Sequence, residues 1–185
     1  MSAARYLPRR SEKIERETIM ASIQVPTTFL CSPFYETGTV VPLQEEITTM
    51  LDCYPFYAEM ISFVKEDIEK PWLHKEKWVP ILLNKWKESQ DFLEECYRQR
   101  HRQQARQKMV LSMAMLIEVV YWINKTPVSN VMSYEQLSIK PMNVEERIPY
   151  MLRAPDHYLS FVQLKSLFEE SEKLFYKAVA MEQRE

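Results

Sequence analysis

Three groups of residues in this chain could in principle do chemistry. The first is Glu118, a carboxylate inside the apolar run Met109–Ile123. An unpaired buried carboxylate is costly or stays protonated, so it reads either as a general acid or base in a helical cavity, or as a core-edge carboxylate paired with an Arg or Lys from another helix. The pairing is the favoured reading, since structural ion pairs perturb carboxylates as readily as active sites do. The second is the run from Arg98 to Lys108, which carries Arg98, Arg100, Arg102, Arg106 and Lys108 with no acid. Gln99, Gln103, Gln104 and Gln107 lie among them, amides suited to phosphate or sugar contacts. On one helix Arg98, Arg102 and Arg106, four apart, form a single stripe. An anionic partner, nucleic acid or an acidic protein surface, would suit that stripe. The blander reading is a solvated hairpin tip, or a patch neutralised by the acids of 43–69, since charge runs mostly solvate a surface. The third is Cys96 with His101, which could meet across a turn, but two ligands do not make a metal site.

Other chemistries fail on spacing. Dinucleotide and phosphate loops need several glycines, and the chain has one, Gly38. A Glu-x-x-His di-iron pattern is absent, because Pro71, Arg98 and Ala154 stand three before the three histidines. The Arg–His spacing of helical ribonucleases is absent too, and there is no Cys-x-x-Cys. No catalytic residue, metal or cofactor is assigned. The only aromatic bordering the basic run is Tyr97, so single-strand stacking finds little support there.

The elements that would carry these groups are helical. Average usage would give roughly thirteen glycines in 185 residues, and a chain denied that residue loses tight hairpins and close backbone approaches. The 46% hydrophobic and 27% charged fractions are those of a globular chain. Net charge is −2, which gives no global basic field. Three well-separated cysteines and no apolar leader point to a reducing cytoplasmic setting. The fifteen-residue run Met109–Ile123 is short of the roughly twenty a bilayer span needs, so it reads as a core helix and no membrane partner is expected.

Residues 1–42 read as an N-terminal arm, partly extended or disordered: a short charged helix over 9–17, then extended chain around Pro26, Pro33 and Pro42, with Met20 an alternative start. Residues 43–183 read as one all-helical domain. A helix is expected from Pro42 to about Cys53, with Glu45 and Glu46 in its first turn, and a second from Phe56 to Glu69, stopped by Lys70-Pro71. Pro80 is expected to open the next helix, with Ile81, Leu82, Trp86, Leu93 and Cys96 at helical spacing. A single helix from 80 to 123 would run roughly 66 Å, too long for this chain, so a turn is placed at 101–104 and the arms form an antiparallel hairpin. Asn124 is the expected left-handed stop. Ser133–Gln136 and Asn143–Glu146 have capping-box spacing. A last helix from Asp156 shows the stripe Phe161, Leu164, Phe168, Phe175 and Ala178, widened by Leu167 and Leu174. The four tryptophans are core anchors, with one of Trp72 and Trp78 a candidate for the surface. The fold class is therefore all-α, a single bundle built on a long helical hairpin closed by the C-terminal helix.

The stretches 70–100, WINKTPV from Trp122, and NVEER from Asn143 followed by Arg153-Ala-Pro155 resemble the YpoC-like family of low-GC Gram-positive bacteria, over about residues 70–180. That resemblance implies a helical cytosolic protein and brings no catalytic residue with it. The function expected is a non-enzymatic adapter that binds another protein. The alternatives are a nucleic-acid-associated protein acting through 98–108 and a small enzyme with a cavity near Glu118.

Overall fold

The structure, a computed structural model, describes residues 21–183; the charged helix expected over 9–17 lies outside them. Two strands, β1 (Ser22–Gln24) and β2 (Val40–Pro42), pair antiparallel with Ile23 opposite Val41. Six helices follow: α1 (Ile47–Met50), α2 (Tyr57–Ser62), α3 (Lys75–Arg98), α4 (Arg102–Ile123), α5 (Val144–Arg153) and α6 (Tyr158–Glu182). The protein is mostly α. α3 and α4 share the largest interface, and α6 packs on both. Lys75 at the start of α3 donates to the Ile123 carbonyl at the end of α4 (3.2 Å), which fixes the pair as antiparallel.

The seal between hairpin and C-terminal helix is aromatic. Trp86 of α3 stacks on Phe168 of α6 with centroids 4.5 Å apart and planes 6° from parallel. Phe161, Leu164, Leu167, Phe168, Phe175 and Ala178 are buried as the stripe requires, with Leu174 half-buried. All four tryptophans are buried, so neither Trp72 nor Trp78 marks a surface. Arg147 ties α5 to α6 through Gln163 (2.7 Å) and Glu170 (2.7 Å).

Several boundaries differ from the sequence expectations. Pro80 lies inside α3. A proline at that position forfeits one backbone hydrogen bond, but Lys75, Trp78 and Val79 are buried and anchor the earlier turns, and burial outweighs the loss. Pro42 ends a strand instead of opening a helix, and the helix expected over 42–53 shrinks to α1. The one expected over 56–69 shrinks to α2. Here the Tyr57 hydroxyl takes over: it accepts from the Gln44 amide (2.6 Å) and lies within 3.0 Å of the Pro42 carbonyl, pinning the strand end to α2. Ser133–Gln136 forms turns and no helix, because Tyr134 is drawn into the core against Tyr121, centroids 5.9 Å apart. Asn143 does precede α5, in the left-handed conformation and without a side-chain cap. Within 21–42, Ile23, Val25, Phe29, Tyr35 and Val41 all belong to the common core.

The hairpin turn falls at 99–101, slightly before its expected place. Arg100 takes φ 61°, the Arg100 amide donates to the Tyr97 carbonyl (3.1 Å) and the His101 amide to the Cys96 carbonyl (2.8 Å). That double closure is the standard left-handed helix stop, made here without glycine. α4 ends the same way one residue later than expected. Lys125, not Asn124, takes φ 57°, with its amide on Trp122 (2.9 Å) and that of Thr126 on Tyr121 (3.4 Å).

Candidate functional site

The turn divides the basic segment. Arg98 is the last residue of α3, Arg100 sits in the turn, and Arg102, Arg106 and Lys108 lie on α4. Arg98 therefore shares no helical stripe with Arg102 and Arg106. Arg98 pairs with Glu95 and Arg106 reaches Asp156 at 3.6 Å. Among the described residues Arg100, Arg102 and Lys108 have no acidic partner, and none of the five meets an acid of 43–69. Those acids serve neighbours instead: Glu45 holds Lys65, Asp52 holds Lys85, and Glu69 holds Lys77. Cys96 and His101 do come together in the backbone, but Cys96 is buried and His101 exposed, and the described residues contain no cluster fit for a metal.

Beside the turn, α3 and α6 enclose a groove of about 830 Å³. Its floor is aromatic. Tyr97 stacks on Phe161 (5.2 Å) and meets the edge of Tyr158 (5.7 Å). Tyr158 and Val162 stay exposed at its mouth, with Leu159 beside them on the first turns of α6. Asp91, Glu94, Glu95 and Arg98 rim it on the α3 side and Lys165 on the α6 side; Arg98 pairs with Glu95, and Lys165 with Glu94 (2.9 Å). The Tyr97 hydroxyl is shielded from solvent yet has no hydrogen-bond partner among the described residues. A buried polar atom without a partner is rare enough to call for an explanation. Burial pushes this phenol above its ordinary range, with the Asp156 carboxylate adding to the effect, so it remains an O–H donor at neutral pH. The groove thus offers an aromatic floor and a charged rim of both signs.

Glu118 is fully buried, but no base accompanies it. The group beside it is a second carboxyl, Glu59 of α2, equally buried. Glu59 Oε1 accepts from Trp122 Nε1 (2.8 Å) and from the Val128 amide (3.2 Å), joining α2 to α4 and to the loop after it. Glu59 Oε2 and Glu118 Oε1 find no partner among the described residues. The favoured expectation of a pairing with Arg or Lys is therefore overturned: no salt bridge of the described residues includes Glu118. Burial pushes the Glu59 carboxyl up to about 7. Burial likewise raises Glu118 well above the carboxylate range, and the Glu59 charge raises it further. Neither glutamate lines the α3–α6 groove or the second groove, of about 720 Å³, between the ribbon loops and α4. Sequence could flag Glu118 by its apolar neighbours. Glu59 gave no such signal, because it stands in an acidic stretch that reads as solvated.

A YpoC-like protein family model matches residues 76–183, the whole of α4, α5 and α6 and nearly all of α3. The chain belongs to the YpoC-like family. Within that match lie Glu118, the basic turn and both walls of the aromatic groove; Glu59, α1, α2 and the ribbon lie before it. The chain is also similar to the "Uncharacterized protein YpoC" of Bacillus subtilis (strain 168), 28% identical over 136 residues, which covers 71% of this chain and 81% of that relative. No solved structure matches the chain. No helix among the described residues is long and apolar enough to cross a membrane.

Proposed function

We propose that this YpoC-like protein is a non-enzymatic adapter that receives an amphipathic helix of a partner protein in the α3–α6 groove. The observation that carries this reading is the groove itself: an aromatic floor of Tyr97 and Phe161 with exposed Tyr158 and Val162 at its mouth. A helix laid into an apolar groove needs anchors at helical spacing and no special chemistry. Glu95 and Glu94 on the rim are already paired with Arg98 and Lys165, which leaves Asp91 to meet a Lys or Arg on the flank of the partner helix. The test is site-specific photo-crosslinking in the native host from position 162, with position 63, exposed on another part of the surface, as control. A discrete crosslinked protein at 162, absent at 63 and lost on Tyr158→Asp, supports the reading. The same products from both positions, or products indifferent to Tyr158→Asp, refute it.

A second reading rests on one observation of its own. Arg100, Arg102 and Lys108 are unpaired among the described residues and cluster at one end of the hairpin, so a nucleic-acid phosphate could be held there.

A further inference from the structure

α2 is six residues long, yet Tyr57 through Ile61 are all buried. Apart from the Tyr57 hydroxyl at its start, Glu59 makes its side-chain bonds to the rest of the molecule, through Trp122 and the Val128 amide. The groups that face the glutamate pair are few. α2 supplies Glu59, α4 supplies Glu118, and the loop after β1 supplies Tyr35, whose hydroxyl is committed to the Pro55 carbonyl (2.9 Å). The loop after α4 supplies only a backbone amide. Among the described residues no Lys, Arg or His bonds to either carboxyl. An ionised carboxylate is acceptor-only, whereas a protonated one can donate. Protonation therefore relieves both the charge and the unmet oxygens in one step, and ionisation restores two like charges in a dry site.

We propose that Glu59 and Glu118 form a proton-dependent clasp, closed while the two carboxyls hold their protons and opened when they ionise, which frees α2 and the Val128 loop from α4. The opening is confined to α2 and the Val128 loop, because Glu59 joins those two to α4 while α3, α4 and α6 also pack on one another directly. The raised carboxyls fix the sign. Stability from the clasp is fully present below the ordinary carboxylate value of 4.5 and is lost as pH climbs through the raised values. Acids lowered by Lys or Arg partners, such as Glu69, Glu94 and Glu182, act at lower pH, so the window above 4.5 isolates the pair.

The test uses the full chain from pH 5 to pH 8. Each proton kept by the folded state alone raises the unfolding constant about tenfold per pH unit. The wild type should exceed a tenfold rise per unit up to about pH 7, Glu118→Gln should fall to about tenfold or less, and Glu59→Gln with Glu118→Gln together should be nearly flat. Amide exchange on the wild type, corrected for the intrinsic pH effect, should show protection lost over 57–62 as pH rises and kept along α6. A wild-type slope that Glu118→Gln leaves unchanged overturns the proposal. So does protection over 57–62 that stays constant with pH or moves only in step with α6. Should the variants fold poorly, carbon-13 titration of the wild-type glutamates decides: two carboxyls titrating well above the rest support the clasp, and uniform titration refutes it.

Discussion

Replacing Trp86 by Ala tests whether α6 truly seals the hairpin. Trp86 is 3% exposed, stacks on Phe168 at 4.5 Å and leans on Phe161 at 6.3 Å. Truncation to Ala removes on the order of 150 Å² of buried ring surface. At about 25 cal/mol per Å² that is ~4 kcal/mol, within the roughly 3–5 kcal/mol range for emptying a core tryptophan site. Domains of this size are stable by only about 5–15 kcal/mol, so the change should cost a quarter or more of the total. Urea unfolding followed by circular dichroism reads it as a lower midpoint at unchanged slope. The stack itself is isolated by a double-mutant cycle with Phe168→Leu, where a coupling of about 0.5–1.5 kcal/mol is expected. A loss below about 1 kcal/mol, or additivity within ~0.3 kcal/mol, would refute the packing argument.

Arg100→Gly should stabilise the protein, because Arg100 holds φ 61° at an exposed turn where a Cβ costs about 1–2 kcal/mol and the unfolded freedom of glycine returns part of it. A net gain of about 0.5–1 kcal/mol in the urea midpoint is the expected result, and a loss would show that the Arg100 side chain is held by contacts that matter. For the nucleic-acid reading, changing Arg100, Arg102 and Lys108 together to Ala should flatten the log–log salt dependence of duplex DNA binding by up to about 2.7. Binding that keeps its strength and salt slope in that variant would remove the reading.

The parts of the fold legible in the sequence are those fixed by long apolar periodicity. The stripe of α6 and the run Met109–Ile123 each repeat over several turns, and both elements appear where the pattern puts them. Short elements were illegible for the opposite reason. α1 and α2 are decided by contacts distant in sequence: Tyr57 reaches Pro42 and Gln44, and Glu59 reaches Trp122 and Val128. Pro80 misled because a proline inside a helix is tolerated once Trp78 and Val79 are buried before it. For the site, the positions of the basic residues were legible but their grouping was not, since the left-handed turn at 99–101 leaves Arg98 on the other arm. The aromatic groove could not be read at all, because it is made by Tyr97 and by Tyr158 and Phe161, some sixty residues apart.

The scarcity of glycine links the fold to its two candidate sites. A helical chain still has to start and stop its helices, and four residues other than glycine take positive φ at those boundaries: Phe56 and Asn143 directly before α2 and α5, Arg100 and Lys125 just after α3 and α4. Each carries a penalty that glycine would avoid, and at Phe56 and Lys125 the side chain does something glycine could not. Phe56 stacks on Phe29 (5.1 Å) directly before α2, and its amide is the one backbone group that favours the charged form of Glu118. Lys125 reaches Glu182 (3.1 Å), which also holds buried Lys75, so the start of α3, the end of α4 and the end of α6 share one carboxylate. Of the two residues that follow helices, only Arg100 is exposed without an acidic partner among the described residues. The strain at Phe56 and Lys125 is thus offset by packing or pairing inside the protein. At Arg100 no ion pair among the described residues offsets it, which is why Arg100→Gly is the substitution expected to stabilise the chain.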